Sequence, residues 1–341
     1  MPRLIMRFDL RNIRPETNAQ LYRDTLELSQ WADEHGFDAI QLAEHHSCDD
    51  DYIPSPLVFG GAMAARTNRV KLRFVLVLPH HNPLRLAEDL AVLDITSDGR
   101  VIAILVAGYA AHEFEMFGTD MRDRGKLMEE GVAALRSAWT GKPFAYRDRV
   151  VRITPQPIQG ADLPIWIGGS TPVAARRAGR LSSRFYSNDT ALWDIYREER
   201  KKHAADPGPA PDIGPGFFIV SEDPDREWER MAPYIAAEME AYAKFGASRR
   251  LLMGDSTTES EAQAQQASRQ ESLKVDLAAI RAMNGYPIMT PDEAAAYIDR
   301  LGPGDEVMLH PLISGLPIEI AREHLAMLER YVLPRLRNKG N

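Results

Sequence analysis

The 341-residue chain has a single cysteine, Cys48. No internal disulfide can brace it, so packing alone must hold the fold. A lone thiol beside histidines can be a nucleophile, but a small inert residue is the plainer reading. No run reaches the ~18 or more apolar residues of a membrane helix. The first residues, MPRLIMRFDLRN, show no apolar stretch before a small-residue cleavage site, so a cytoplasmic protein is expected. Positive charge is scarce and scattered: 41 Lys and Arg stand against 49 Asp and Glu, with only short pairs such as Arg176-Arg177 and Arg249-Arg250. No nucleic-acid footprint follows from that pattern. The first predicted strand is followed by FDLRNIRPET, without a glycine fingerprint, which argues against tight NAD(P)H binding and against a doubly wound open sheet. There is no H-x-H after that strand and no H-E-x-x-H, so no metal site is expected.

What is present is alternation. Extended runs at Arg3–Asp9, Asp38–Ala43, Lys71–Leu78, Arg100–Val106, Leu163–Gly168, Ser183–Ser187, Gly216–Val220 and Asp305–His310 alternate with helical spacing, as at Leu21, Thr25, Leu28 and Ala32. A long helical region is read at His112–Trp139. Strands apolar on both faces and separated by helices call for parallel pairing with helical crossovers. Eight such units predict an α/β fold, a (β/α)8 TIM barrel with insertions, in one domain over 1–341. The insertions fall near 141–160, a small hairpin, and 246–286, a polar segment with no clear strand, as readily a surface excursion as a lid.

If the barrel forms, the segment QLAEHHSCDDD (41–51) lies at the face where barrel enzymes place their chemistry. His45, His46, His80, His81, His112 and His310 fall near strand ends, whereas His35, His203 and His324 fall on helices. Loops tolerate polar residues, but clustering at one face favours function. Adjacent side chains of a strand point oppositely, so one inward imidazole, His45, suits proton transfer near neutral pH. Glu44 is a candidate to orient it, with a structural role as the plainer reading. In PIWIGGSTPVAARRAG (164–179), Gly168-Gly169 lets a ligand approach the backbone, and Ser170 or Thr171 can cap a helix starting at Pro172, whose free N–H groups attract an anion. Many barrel helices start this way with nothing bound. Gly108-Tyr109, after strand four, is either a place for a flat ring or a turn.

The order and spacing of AEHH (43–46), LPHHNPLRLAEDLAVLD (78–94), GY…EFEMFGTD (108–120), RGKLMEEGVAALRSAWTGKPF (124–144) and PIWIGGST (164–171) resembles the bacterial luciferase-like monooxygenases, a family of flavin- or deazaflavin-dependent (β/α)8 enzymes. The resemblance is strong over about 1–180. It implies reduced FMN supplied by a separate flavin reductase, O2 as co-substrate, a small organic substrate and a homodimer. His45 matches the histidine that supports the reaction of reduced flavin with oxygen in luciferase. Gly169, Ser170 and Thr171, next to Gly168, match the phosphate turn. Phe74 and Val75 fall where the family often has a non-proline cis peptide, and Val106, Ala107, Gly108 and Tyr109 match the segment beside the flavin. Ala107 replaces luciferase's phosphate-side arginine, VIAILVAG after DGR is poorer in glycine than usual, and LSSRFYSN alters the segment carrying Ser187 and Asn188. The resemblance also admits hydride transfer with F420, or a non-catalytic flavin-binding subunit.

Overall fold

The computed structural model describes residues 1–214, 216–252 and 276–338, with side chains to Lys244 in the long helix that ends the second stretch and to Leu336 in the last. The expected strands form close to their predicted positions: β1 (Arg3–Phe8), β2 (Ala39–Ala43), β3 (Lys71–Val77) and β4 (Val101–Val106). A hairpin of β5 (Phe144–Tyr146) and β6 (Arg149–Val151) follows, then β7 (Ile165–Gly168), β8 (Phe185–Tyr186), β9 (Ile219–Val220), β10 (Ile288–Met289) and β11 (Glu306–Leu309). Seven of them make one all-parallel sheet in the order β11-β1-β2-β3-β4-β7-β8. The last strand lies beside the first, so the sheet curls upon itself and is not doubly wound.

The hydrogen-bonded ring does not close among the described residues. β9, the seventh unit, pairs with β10 and not with β8 or β11. The coil before it carries Pro207, Pro209 and Pro211, which have no N–H to give to a ladder. Part of its place is taken by Asp212, whose carbonyl accepts from the Glu306 N–H at 2.7 Å. β10 escapes sequence reading because it is two residues long. Most of the polar segment predicted as an insertion, 253–275, lies outside the described residues.

The convex face of the sheet carries the main apolar core, shared with helices α1 (Asn18–Glu34), α2 (Pro56–Arg66) and α3 (Pro83–Thr96). The long helix predicted over 112–139 is two: α4 (Ala111–Met116) and α5 (Arg124–Ala138). Gly118 takes φ +65° after α4, and the Asp120 carboxylate accepts from the Arg122 N–H, so the chain turns before α5 begins. α6 (Pro172–Leu181) is capped by Thr171 Oγ1, which accepts from the Ala174 N–H at 3.2 Å. α7 (Thr190–Arg200) is capped by Asp189. α8 (Pro224–Leu252) crosses the mouth of the curl, as its ion pairs to β1 show below. No helix among the described residues is long and apolar enough to cross a membrane.

The concave face is filled from the strands alone: Ile5, Ala39 and Met308 make one group, and Ile102, Ile104 and Trp166 another, with Tyr186 touching both. Below them Arg73, Arg184 and Arg3 surround Glu306, with Arg73 bidentate at 2.8 and 3.1 Å. Above them the C-terminal strand ends open into a mouth.

Candidate active site

Because all seven strands are parallel, every segment that follows a strand leaves the sheet at the same end. The tips of β2, β3, β4 and β7 are successive neighbours there. His45 lies two residues beyond β2 and is buried. Its Nδ1 lies 2.8 Å from Glu113 Oε1 and its Nε2 lies 3.2 Å from the Tyr109 hydroxyl. With the Nδ1 proton donated to the carboxylate, Nε2 accepts from Tyr109, a tautomer assigned from the network. The ring is held edge-on by Tyr52 at 5.0 Å and Tyr109 at 5.5 Å.

Glu113 is fully buried at the start of α4. It also accepts from the His46 backbone N–H at 2.9 Å, and His80 Nε2 stands 3.5 Å from its second oxygen. Burial pushes its pKa upward, but hydrogen bonding from His45 and His80, the His45 charge and the His46 amide outweigh burial and hold it at about 2. It is therefore a permanent anion behind His45. Sequence reasoning missed it. The signal was an acidic residue in AHEF, placed one turn after the tip of β4.

Glu44 does not orient His45. It turns to the other side of the strand, where it accepts from the Val77 N–H and from His81 Nε2 at 2.9 Å. That hydrogen bond raises the pKa of His81 against the opposing effect of burial. The separation follows from side-chain alternation of adjacent residues. His46 stacks edge-on to His80 and Phe117, and burial lowers its pKa. His112 meets the His46 carbonyl through Nε2 at 3.0 Å. Burial, reinforced by Asp50, pushes the Cys48 thiol up to about 12, which suits an inert residue.

The family's cis peptide is not formed at Phe74–Val75; the cis bond among the described residues is Thr154–Pro155. Unbroken ladders bind β3 on both sides, with Val75 opposite Ala43 and Ile104. Phe74 points outward beneath Gly60, where an added Cβ would lie 2.5 Å from its ring. Val75 faces the concave side.

Ala107, Gly108 and Tyr109 follow β4 directly and are partly exposed. Gly108 sits at φ +76°, and a Cβ there would meet Val77 at 2.7 Å, so only glycine fits. Gly168 ends β7 and Gly169 donates to the Tyr186 carbonyl at 3.4 Å. A Cβ at Gly169 would lie 2.4 Å from that of Ala174, so this glycine lets α6 approach the sheet. The amides of Ser170 and Thr171 have no hydrogen-bond partner among the described residues, and they stand at the start of a ten-residue helix. Unpaired amides with a helix dipole behind them fit a phosphate. Ser187 leaves β8 at the same end, its Oγ accepting from the Asp189 N–H at 3.3 Å.

A cavity of about 270 Å³ opens at the centre of the mouth, lined by Arg7, Gln41, Ala43, Tyr52, Tyr186 and Asn188 among others. Ala43 is two residues from His45, and Tyr52 touches both the cavity and the His45 ring. Arg7 was also missed; its signal was a charged residue inside the buried strand RLIMRFD.

Residues 5–301 match the profile of the luciferase-like monooxygenase family. The chain is 31% identical over 165 residues to the oxygenase component of a flavin-dependent trigonelline monooxygenase from Acinetobacter baylyi, covering 46% of each protein. It is 24% identical over 330 residues to an F420-dependent glucose-6-phosphate dehydrogenase from Amycolatopsis mediterranei, covering 93% of this chain and 96% of that one. The first of these matches spans about half the length of the relative. Among solved structures, the monooxygenase RslO1 from Streptomyces bottropensis superposes with a TM-score of 0.74 at 23% identity, covering 98% of this chain and 99% of that one. The curled parallel sheet, the strand-tip site and a profile match over most of its length together place the chain in the luciferase-like monooxygenase family.

Proposed function

We propose that the protein is a flavin-dependent monooxygenase that uses reduced FMN and O2 to oxygenate a small organic substrate. The observation that carries this reading is His45, fixed between a buried anion and a phenol at the same sheet end as the unpaired Ser170 and Thr171 amides. We read the architecture as a (β/α)8 barrel whose seventh strand is β9. Gly169, Ser170 and Thr171 would hold the phosphate, and Ala107, Gly108 and Tyr109, on the β4 side of the mouth, would receive the ring. Bound there, the flavin would supply the two electrons and the oxygen chemistry.

The chain's own residues then have defined tasks. Glu113 fixes the His45 ring through Nδ1 and leaves Nε2 turned to Tyr109. His45 Nε2 holds or passes a proton toward the mouth through Tyr109. The aromatic walls Tyr52 and Tyr186 exclude water from the reacting centre. Ala107 offers no charge to the phosphate, so the helix start carries that contact. A separate reductase would supply the reduced cofactor in the cytoplasm. Val58 on α2 and Val92 and Ile95 on α3 are exposed apolar residues on adjacent helices and support a homodimer.

Hydride transfer with F420 is the second reading, supported by the near full-length match to an F420-dependent relative. Anaerobic titration with reduced FMN and with reduced F420 separates the two. Saturable binding of FMN, with substrate-dependent oxygen uptake, supports the monooxygenase; binding of F420 alone contradicts it.

A further inference from the structure

The mouth cavity has a chemistry that cofactor binding leaves unexplained. Resting on the flavin reading above, we propose that this cavity seats the substrate, and that the substrate is a small planar carboxylate bearing its own hydrogen-bond donor, of the hydroxybenzoate kind. At about 270 Å³ it falls just below the roughly 300–1,000 Å³ of drug-sized sites, which suits one ring.

The anion preference comes from Arg7. Its side chain is 19% exposed. Its Nη2 donates to Glu238 at 2.6 Å and to Asp9 and Tyr242 at 3.3 and 3.4 Å. Nη1 and Nε have no partner among the described residues. A guanidinium carries five N–H donors in a fixed fork, so the carboxylates clamp one corner and leave the rest. Nη1 faces the cavity wall at Gly216, where an added Cβ would lie 2.7 Å from it. An open guanidinium edge matches a carboxylate.

The layer beneath adds positive charge. There three guanidiniums, of Arg3, Arg73 and Arg184, face the single carboxylate of Glu306. Burial and the neighbouring Arg3 and Arg73 lower the Arg184 pKa to about 10, against the pull of Glu306, as expected where cations are in excess.

The donor preference comes from Gln41. Its Oε1 is buried and unpartnered on the cavity wall, and a ligand O–H or N–H would satisfy it. Planarity comes from the rings of Tyr52 and Tyr186. A metal is the competing reading, because ligand atoms of Asp9, Glu238 and His310 lie within 4.8 Å of one another. However, Arg7 Nη2 already occupies both carboxylates, and Arg11 stands 3.6 Å from Asp9. The charge a cation would bring is present, and the cluster serves to fix Arg7.

The test is calorimetry on the purified chain, flavin-free and FMN-saturated, with 4-hydroxybenzoate, its neutral isostere 4-hydroxybenzamide, and benzoate. The acid should bind in both states, the amide about 10- to 100-fold more weakly, and benzoate about tenfold more weakly. Gly216→Ala places a methyl group against Nη1 and should weaken the acid about tenfold and the amide far less. Arg7→Lys keeps a cation for Asp9 and Glu238 and should lose the same preference. Equal binding of acid and amide, or displacement of the acid by FMN, overturns the proposal. If FMN fails to bind while the acid still discriminates, the substrate seat stands and the cofactor reading falls.

Discussion

Two polar clusters share the mouth of the curled sheet, and they are built differently. The histidine cluster, at the tips of β2, β3 and β4, takes its members from segments that directly follow their own strands: 44–46, 80–81 and 109–113. The arginine cluster, at the tips of β1 and β11, takes Arg7, Asp9 and Arg11 from one end of the chain and Glu238, Tyr286 and His310 from the other. The first pairs one buried anion with imidazoles and a phenol, groups that can hand a proton on. The second is built on guanidiniums paired with carboxylates; Asp9 is held well below the usual carboxylate range, its burial outweighed by His310, Arg11 and Arg7. The difference separates proton handling from fixed charge. Removing the His45 imidazole should cost turnover far more than stability, whereas removing the Arg7 guanidinium should cost stability as well as the substrate preference.

Arg7→Met is the strongest break. It leaves Glu238 and Asp9 buried without their shared donor, and a urea titration should show a loss of about 3–5 kcal/mol; a loss under about 1 kcal/mol would mean that the network is no clamp. Acid should attack the histidine side next. Glu113 has a depressed pKa, so its contribution is complete above its ordinary value of 4.5 and is lost as pH falls toward 2. That contribution is on the order of 3 kcal/mol, and Glu113→Gln should flatten the acid limb of a stability–pH curve. His81 acts with the opposite sign: its raised pKa contributes stability below about 6.5 that fades as pH rises through the raised value.

His45→Ala should lower substrate-dependent oxygen uptake about 100-fold with a far smaller change in the urea midpoint. Equal losses in both would erase the contrast between the clusters. Thr171→Ala should give the smallest effect, about 1 kcal/mol of stability with weaker FMN binding, measured by flavin fluorescence.

The same contrast explains what the sequence could and could not disclose. The strand tips and their histidines were legible because a strand and the segment after it are continuous in sequence, and parallel pairing sends them all to one end. Thr171 was legible for the same reason, since a cap is a local feature. Glu44 is a candidate to orient His45 only because the two are adjacent in sequence; adjacent side chains diverge, and Glu44 has the structural role that is the plainer reading. Glu113 supplies the contact instead, from a short helix that was merged with its successor. Arg7 and Glu238 form an ion pair that no local pattern connects. The departure of β9 from the main sheet was equally hidden, because its pairing with β10 joins two-residue strands far apart in sequence.

The central claim is that the tips of β2, β3, β4 and β7 converge on one phosphate-tailed flavin. The most direct measurement is an anaerobic fluorescence titration of the purified chain with reduced FMN and, in parallel, with reduced riboflavin, which lacks the phosphate. The account predicts saturable binding of FMN and binding of riboflavin about 100-fold weaker. Equal affinity for the two, or no binding of either, would contradict it.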